Sequence, residues 1–154
     1  MIVVSDASAI SALLHIQEAD LLRRQYSEVF IPAAVRDELA VAHASLPEFI
    51  RVAHVVNRAY RDRLLDELDD GEAEAIVLAK ELGADDVLID ESEGRRIAER
   101  EGVHVIGLIG VLLEARKRGL IPSMTEIILR LETKAHFHIS QNLKETALRE
   151  AGDL

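Results

Sequence analysis

IVVSDAS, residues 2–8, decides how this chain is read. The apolar run Ile2–Val4 has the length and β-branched content of a strand, and it stops at Asp6, directly before a stretch with helical spacing. VLI at residues 87–89 repeats the pattern: it stops at Asp90 and is followed by the helical stretch SEGRRIAERE. Short apolar runs that hand over to longer helical patterns are the order of a parallel sheet covered by helices on both faces. Ligands in such sheets bind beyond the carboxyl ends of the strands, so Asp6 and Asp90 are expected at the ligand edge.

Working outward, strands are predicted at about 2–5, 28–31, 87–89 and 103–106, and a weaker one near 51–56, where VAHVV also suits a helix. Helices are predicted at about 8–16, 18–25, 33–43, 59–67, 71–82, 93–101, 108–118, 123–132 and 141–150. Pro32 is read at a first helical position, Gly83, Gly102 and Gly119 as helix ends, and Pro122 as the opening of the next helix. No linker, repeat or low-complexity stretch divides the chain, so residues 1–154 are read as one α/β domain, a three-layer α/β/α sandwich with a mostly helical last third. In that last third Met124, Ile127, Ile128 and Leu131 share a helix side, which either covers the sheet or supplies a dimer face.

Composition narrows the function. There are no cysteines, hence no disulfide and no thiolate zinc site. No apolar run approaches the roughly 18 residues of a membrane span, and the N-terminus has no basic segment before a long apolar one, which together predict a soluble cytoplasmic protein. Eighteen basic against 28 acidic residues give a formal charge of −10, which opposes binding of phosphate chains. Clustered carboxylates offset by divalent cations, with local basic stretches formed by Arg23, Arg24, Arg51, Arg58, Arg61, Arg63, Arg95, Arg96 and Arg100, allow a basic rim around an acidic hole.

The acids decide the chemistry. Asp6 either caps the helix that follows or is free for a ligand, with Ser8 as the competing cap. Glu38 lies at the edge of the apolar stripe formed by Val35, Leu39 and Ala42, whereas Asp37 points away. In DDGEAEAIVLAKEL the buried side is marked by Ala75, Ile76, Leu78, Ala79 and Leu82; Glu72 is about 50° and Glu74 about 110° from its centre. Glu72 is therefore the first candidate and Glu74 the alternative, while Asp69 and Asp70 suit the positive end of a helix. Asp90 competes with Ser92 for helix entry. Asp6, Glu38, Glu72 and Asp90 together describe an oxygen-only site suited to Mg2+ or Mn2+. His136 and His138 have no evident third ligand and are read as structural or surface residues.

With these acids in this order, the chain resembles the PIN-domain superfamily of metal-dependent ribonucleases, nearly end to end. It is most similar to prokaryotic PIN-like proteins with stretches like VSDASAI, GEAEAIVLA, VLIDESEGRRIA and GLIGVLLEA, which stand here at 4–10, 71–79, 87–98 and 107–115. The resemblance implies a Rossmann-like three-layer fold and an acidic pocket holding one or two Mg2+ or Mn2+ ions. It also implies an RNA substrate and, by similarity to VapC-type toxins, a small antitoxin protein as partner and a homodimeric state. Carried over, the catalytic acids fall on Asp6, Glu38, Glu72 and Asp90. Glu74 is the alternative third acid, and Glu91 shares or replaces the duty of Asp90, because the spacing after the strand differs from many relatives. That offset and the negative charge favour an alternative reading, a PIN-like binding module that has lost cleavage and acts through a protein partner. A phosphatase or a receiver domain does not fit: DAS at 6–8 lacks a second Asp two residues after the first, and Lys117 lies on a helix rather than after a final strand.

Overall fold

The alternation of apolar runs and helical stretches folds in the order β1 (Ile2–Ser5), α1 (Ala7–His15), α2 (Asp20–Gln25), β2 (Glu28–Pro32), α3 (Ala33–Leu39), β3 (Ile50–Ala53) and α4 (Arg58–Leu64). It continues through α5 (Asp70–Leu82), β4 (Asp86–Leu88), α6 (Ser92–Arg100), β5 (Val105–Ile106), α7 (Leu108–Lys117), α8 (Met124–Lys134) and α9 (Gln141–Ala151). This computed structural model describes residues 1–154. Of the segment near 51–56 only 51–53 is strand, part of β3 and held by parallel pairing to β2, and the fifth strand is shorter than its sequence suggests.

All neighbouring strands are parallel, in the order β3-β2-β1-β4-β5. The chain first builds to one side of β1, then crosses to the other side for β4, so the topological switch lies between β1 and β4. Successive residues of a strand face opposite sides, and the core divides accordingly. Val3, Val29, Ile31 and Leu88 pack with α1, α2, α7 and α8, whereas Val4, Val87 and Ile89 pack with α5 and α6. These are the three layers expected. Each fully buried Ile, Leu or Val contributes roughly 1.5–3 kcal/mol of transfer free energy.

Met124, Ile127, Ile128 and Leu131 are all buried, on a helix packed against α1, α7 and α9, so they offer no dimer face. No helix is long and apolar enough to cross a membrane. Gly83 ends α5 at φ 61°, a left-handed conformation that glycine adopts without steric cost. Two helix starts differ from their sequence reading. Pro32 closes β2 and stands at the cap position of α3 with ψ 166°, and α8 is capped by the Ser123 hydroxyl on the Glu126 N–H, one residue beyond Pro122. A hydroxyl accepts from a free first-turn N–H, which proline cannot do.

Candidate active site

The parallel register sets the geometry. The Asp6 N–H donates to the Leu88 carbonyl at 3.0 Å, and Ser5 is level with Leu88, so the carboxyl ends of β1 and β4 finish side by side. Asp6 leaves one strand and Asp90 the other, on either side of the switch point.

Asp6 is the cap of α1. Its Oδ1 is 3.5 Å from both the Ala9 N–H and the Ser8 hydroxyl, so Ser8 donates to Asp6 instead of replacing it as the cap. Bonds that long compensate little charge. Burial, and then the negative charge of Asp90, push the Asp6 carboxyl up to about 8.

Asp90 is tied on one side only. Its Oδ1 accepts from the Leu108 N–H at 2.9 Å, capping α7 from across the chain, while its Oδ2 is buried with no hydrogen-bond partner. Burial raises its pKa; the Leu108 N–H and Arg95 oppose that rise. Ser92, the expected competitor, is the first residue of α6, and Glu91 occupies the cap position without a side-chain bond.

One glycine makes room for one of the glutamates. At Gly94 on α6 an added Cβ would come 2.6 Å from Glu72 Oε2, so the absent side chain is the space in which that carboxylate lies. Gly71 imposes no such condition on Glu38: a Cβ there would stand 3.6 Å from Glu38 Oε2, an ordinary contact distance. Burial, then the charges of Asp69 and Glu91, push Glu72 up to about 7. The same causes in the same order raise Glu38.

A small cavity of about 50 Å³ is lined by Asp6, Ser8, Glu38, Asp69, Glu72 and Glu91. Asp90 stands behind Asp6, close enough to raise its pKa, but does not line the cavity. Glu74 is directed elsewhere: its carboxylate accepts from Arg61 Nη1 at 2.8 Å and from the Ala34 N–H at 3.1 Å, in a neighbouring cleft of about 500 Å³. Its burial, 7% exposed, departs from the helical-wheel reading because α3 and α4 cover the flank of α5 that the wheel leaves open. His136 and His138 are exposed in the loop before α9.

Sequence reasoning placed Asp69 at the helix start but missed its place in the cavity, and it missed the role of Gly94. Asp69 caps α5 through the Glu72 N–H at 2.8 Å and lines the cavity with the same carboxylate. Gly94 carried a signal, since a glycine inside a helix costs about 1 kcal/mol against alanine and so implies a packing reason.

The donor set fits a divalent cation by its chemistry. All donors are carboxylate oxygens, several with raised pKa, and one buried oxygen, Asp90 Oδ2, is unsatisfied. No three of the acids and histidines stand in a ready-made ligand set, so closing around one ion requires side-chain movement. No curated protein matches the chain. A family model described as a PIN domain matches residues 2–153, nearly the whole length, and the chain therefore belongs to the PIN-domain family, whose fold is of the nuclease type.

Proposed function

We propose that the protein is a Mg2+- or Mn2+-dependent endoribonuclease that hydrolyses RNA phosphodiester bonds at the cavity between β1 and β4. The observation that carries this reading is the buried Asp6 beside Asp90, whose Oδ2 is buried and unsatisfied, at the ligand edge of a PIN-domain sheet. Asp6, Glu72 and Asp90 would hold the ion, with Glu38 and Glu91 at the open side. When bound, such an ion neutralises charge on the phosphoryl group and acidifies a water for attack.

The chain's own contribution is placement. Gly94 leaves the space that receives the Glu72 carboxylate, and the Leu108 N–H fixes one oxygen of Asp90. Burial excludes water from Asp6, so its charge requires a positive partner. The test is cleavage of a 5′-labelled RNA by the purified protein with Mn2+, Mg2+ or EDTA. Cleavage that needs metal and falls at least 100-fold in Asp6→Asn supports the assignment; equal cleavage by the variant, or in EDTA, overturns it.

The biological role we propose is that of the toxin of a toxin–antitoxin pair, supported by the likeness of GEAEAIVLA and VLIDESEGRRIA to prokaryotic PIN-like proteins, many of which resemble VapC-type toxins. A small antitoxin and a second copy of the chain are then the expected partners. Induced expression should arrest growth in the wild type and not in Asp6→Asn. The alternative, a PIN-like module without cleavage that acts through a protein partner, draws on the lack of a ready-made ligand set and on the Asp90 oxygen committed to Leu108. It predicts no cleavage with either metal.

A further inference from the structure

The acid cavity does not stand alone at the carboxyl edge of the sheet. It shares Glu38, Asp69 and Gly71 with the cleft of about 500 Å³, which follows β2 and β3 and is lined also by His54, Arg58 and Arg61. On its other flank Asp90 opens onto a second cleft of about 570 Å³, lined by Ser92, Arg95, Gly107 and His138 beyond β4 and β5. The strand order puts the first cleft on the β2–β3 side of the acids and the second on the β5 side.

The cations of these clefts differ in one respect. Arg61 is bound by Asp62 and Glu74 at 2.8 Å each, so its charge is spent. Arg58 and Arg95 make no ion pair with any carboxylate. Arg95 lies across Gly107 and reaches the Ile89 carbonyl at 3.5 Å, leaving most of its guanidinium donors free. Each cleft thus carries one uncommitted arginine, on opposite sides of a cluster of acids.

We propose that an extended RNA strand lies along this edge, entering one cleft, crossing the acid cavity and leaving by the other, with one backbone phosphate held by Arg58 and another by Arg95. This rests on the nuclease reading for the identity of the strand but not on cleavage itself. Five strands at about 4.8 Å spacing make an edge of roughly 19 Å, so phosphates held at its two sides belong to different nucleotides of one strand. The geometry also reconciles a net charge of −10 with a phosphate ligand, because contact is confined to two points.

The experiment is fluorescence anisotropy of a labelled eight-nucleotide single-stranded RNA, titrated at several salt concentrations with protein carrying Asp6→Asn to suppress turnover. Each phosphate contact contributes about 0.7 to the slope of log affinity against log salt for a single strand. Arg58→Ala and Arg95→Ala should each lower the slope by about 0.7 and the pair by about 1.4, while Arg58→Lys and Arg95→Lys keep it. Arg24→Ala and Lys117→Ala, which remove the same charge at the amino edge of the sheet, should leave the slope unchanged. No binding at all, a silent Arg58 or Arg95, or an equal drop in the Arg24 and Lys117 variants overturns the path. If instead the slopes follow the proposal and wild-type protein cleaves nothing with metal, the path stands and the nuclease reading fails.

Discussion

Gly94 leaves the space that Glu72 fills: a Cβ at that position would come within 2.6 Å of Glu72 Oε2 and within 2.9 Å of Ile89 Cγ2. Gly94→Ala should therefore displace the carboxylate while keeping α6. Overpacking costs about 1–3 kcal/mol, partly offset by the about 1 kcal/mol better helix propensity of alanine. Metal-dependent cleavage should fall about 100-fold, since a shift of about 1 Å at a reacting centre suffices for that. A thermal melt together with a cleavage assay checks it; an active Gly94→Ala protein would show that Glu72 is dispensable.

The pH dependence of stability has a defined sign. Folding raises Asp6 from 3.8 to about 8 and Glu72 from 4.5 to about 7. Between those values the folded protein holds protons that the unfolded chain has lost, so the contribution of these two groups is full below about pH 4 and is lost as pH rises through 7 to 8. In EDTA the protein should melt at a higher temperature at pH 5.5 than at pH 8.5, and Asp6→Asn should flatten the difference. Its gain at pH 8.5 is expected to be about 1 kcal/mol or more, about 2–4 °C per kcal/mol for a chain of this size. A melting temperature rising from pH 5.5 to 8.5 contradicts the burial of these acids.

Divalent metal should reverse that trend. An ion that binds only the folded state at 100 times its Kd adds about 2.7 kcal/mol, or about 5–10 °C here. The gain with Mn2+ should be larger at pH 8 than at pH 5.5, where protons compete for the same oxygens, and absent in Asp6→Asn. Differential scanning fluorimetry with and without metal measures it.

Arg61 and Glu74 form the least exposed ion pair of the molecule, with side chains 17% and 9% exposed. Removing the arginine strands a buried carboxylate that also holds the Ala34 N–H at the start of α3. Because Arg61 is partly solvated, Arg61→Ala should cost about 1–3 kcal/mol, less than a fully buried pair. A double-mutant cycle with Glu74→Gln should show coupling of about 1–2 kcal/mol; additive effects would mean that the pair does not hold α4 to α5.

The layer order and the edge at which the acids emerge are legible in local stretches of the chain. Apolar runs such as Ile2–Val4 and Val87–Ile89 are local signals, and the change of period from strand to helix after Asp6 and Asp90 needs no distant contact to be read. Only the tertiary structure decided which acids share a cavity. Glu72 and Glu74 are two residues apart on one helix, yet one is received by the gap at Gly94 and the other by Arg61, both partners being distant in the chain. The same holds for Asp90, whose oxygen is taken by the Leu108 N–H after the β4–β5 crossover, and for β3, a segment of mixed pattern that becomes a strand by pairing with β2. Periodicity records which face of an element is apolar; it does not record what packs against the other face, and in this protein that packing separates the carboxylates.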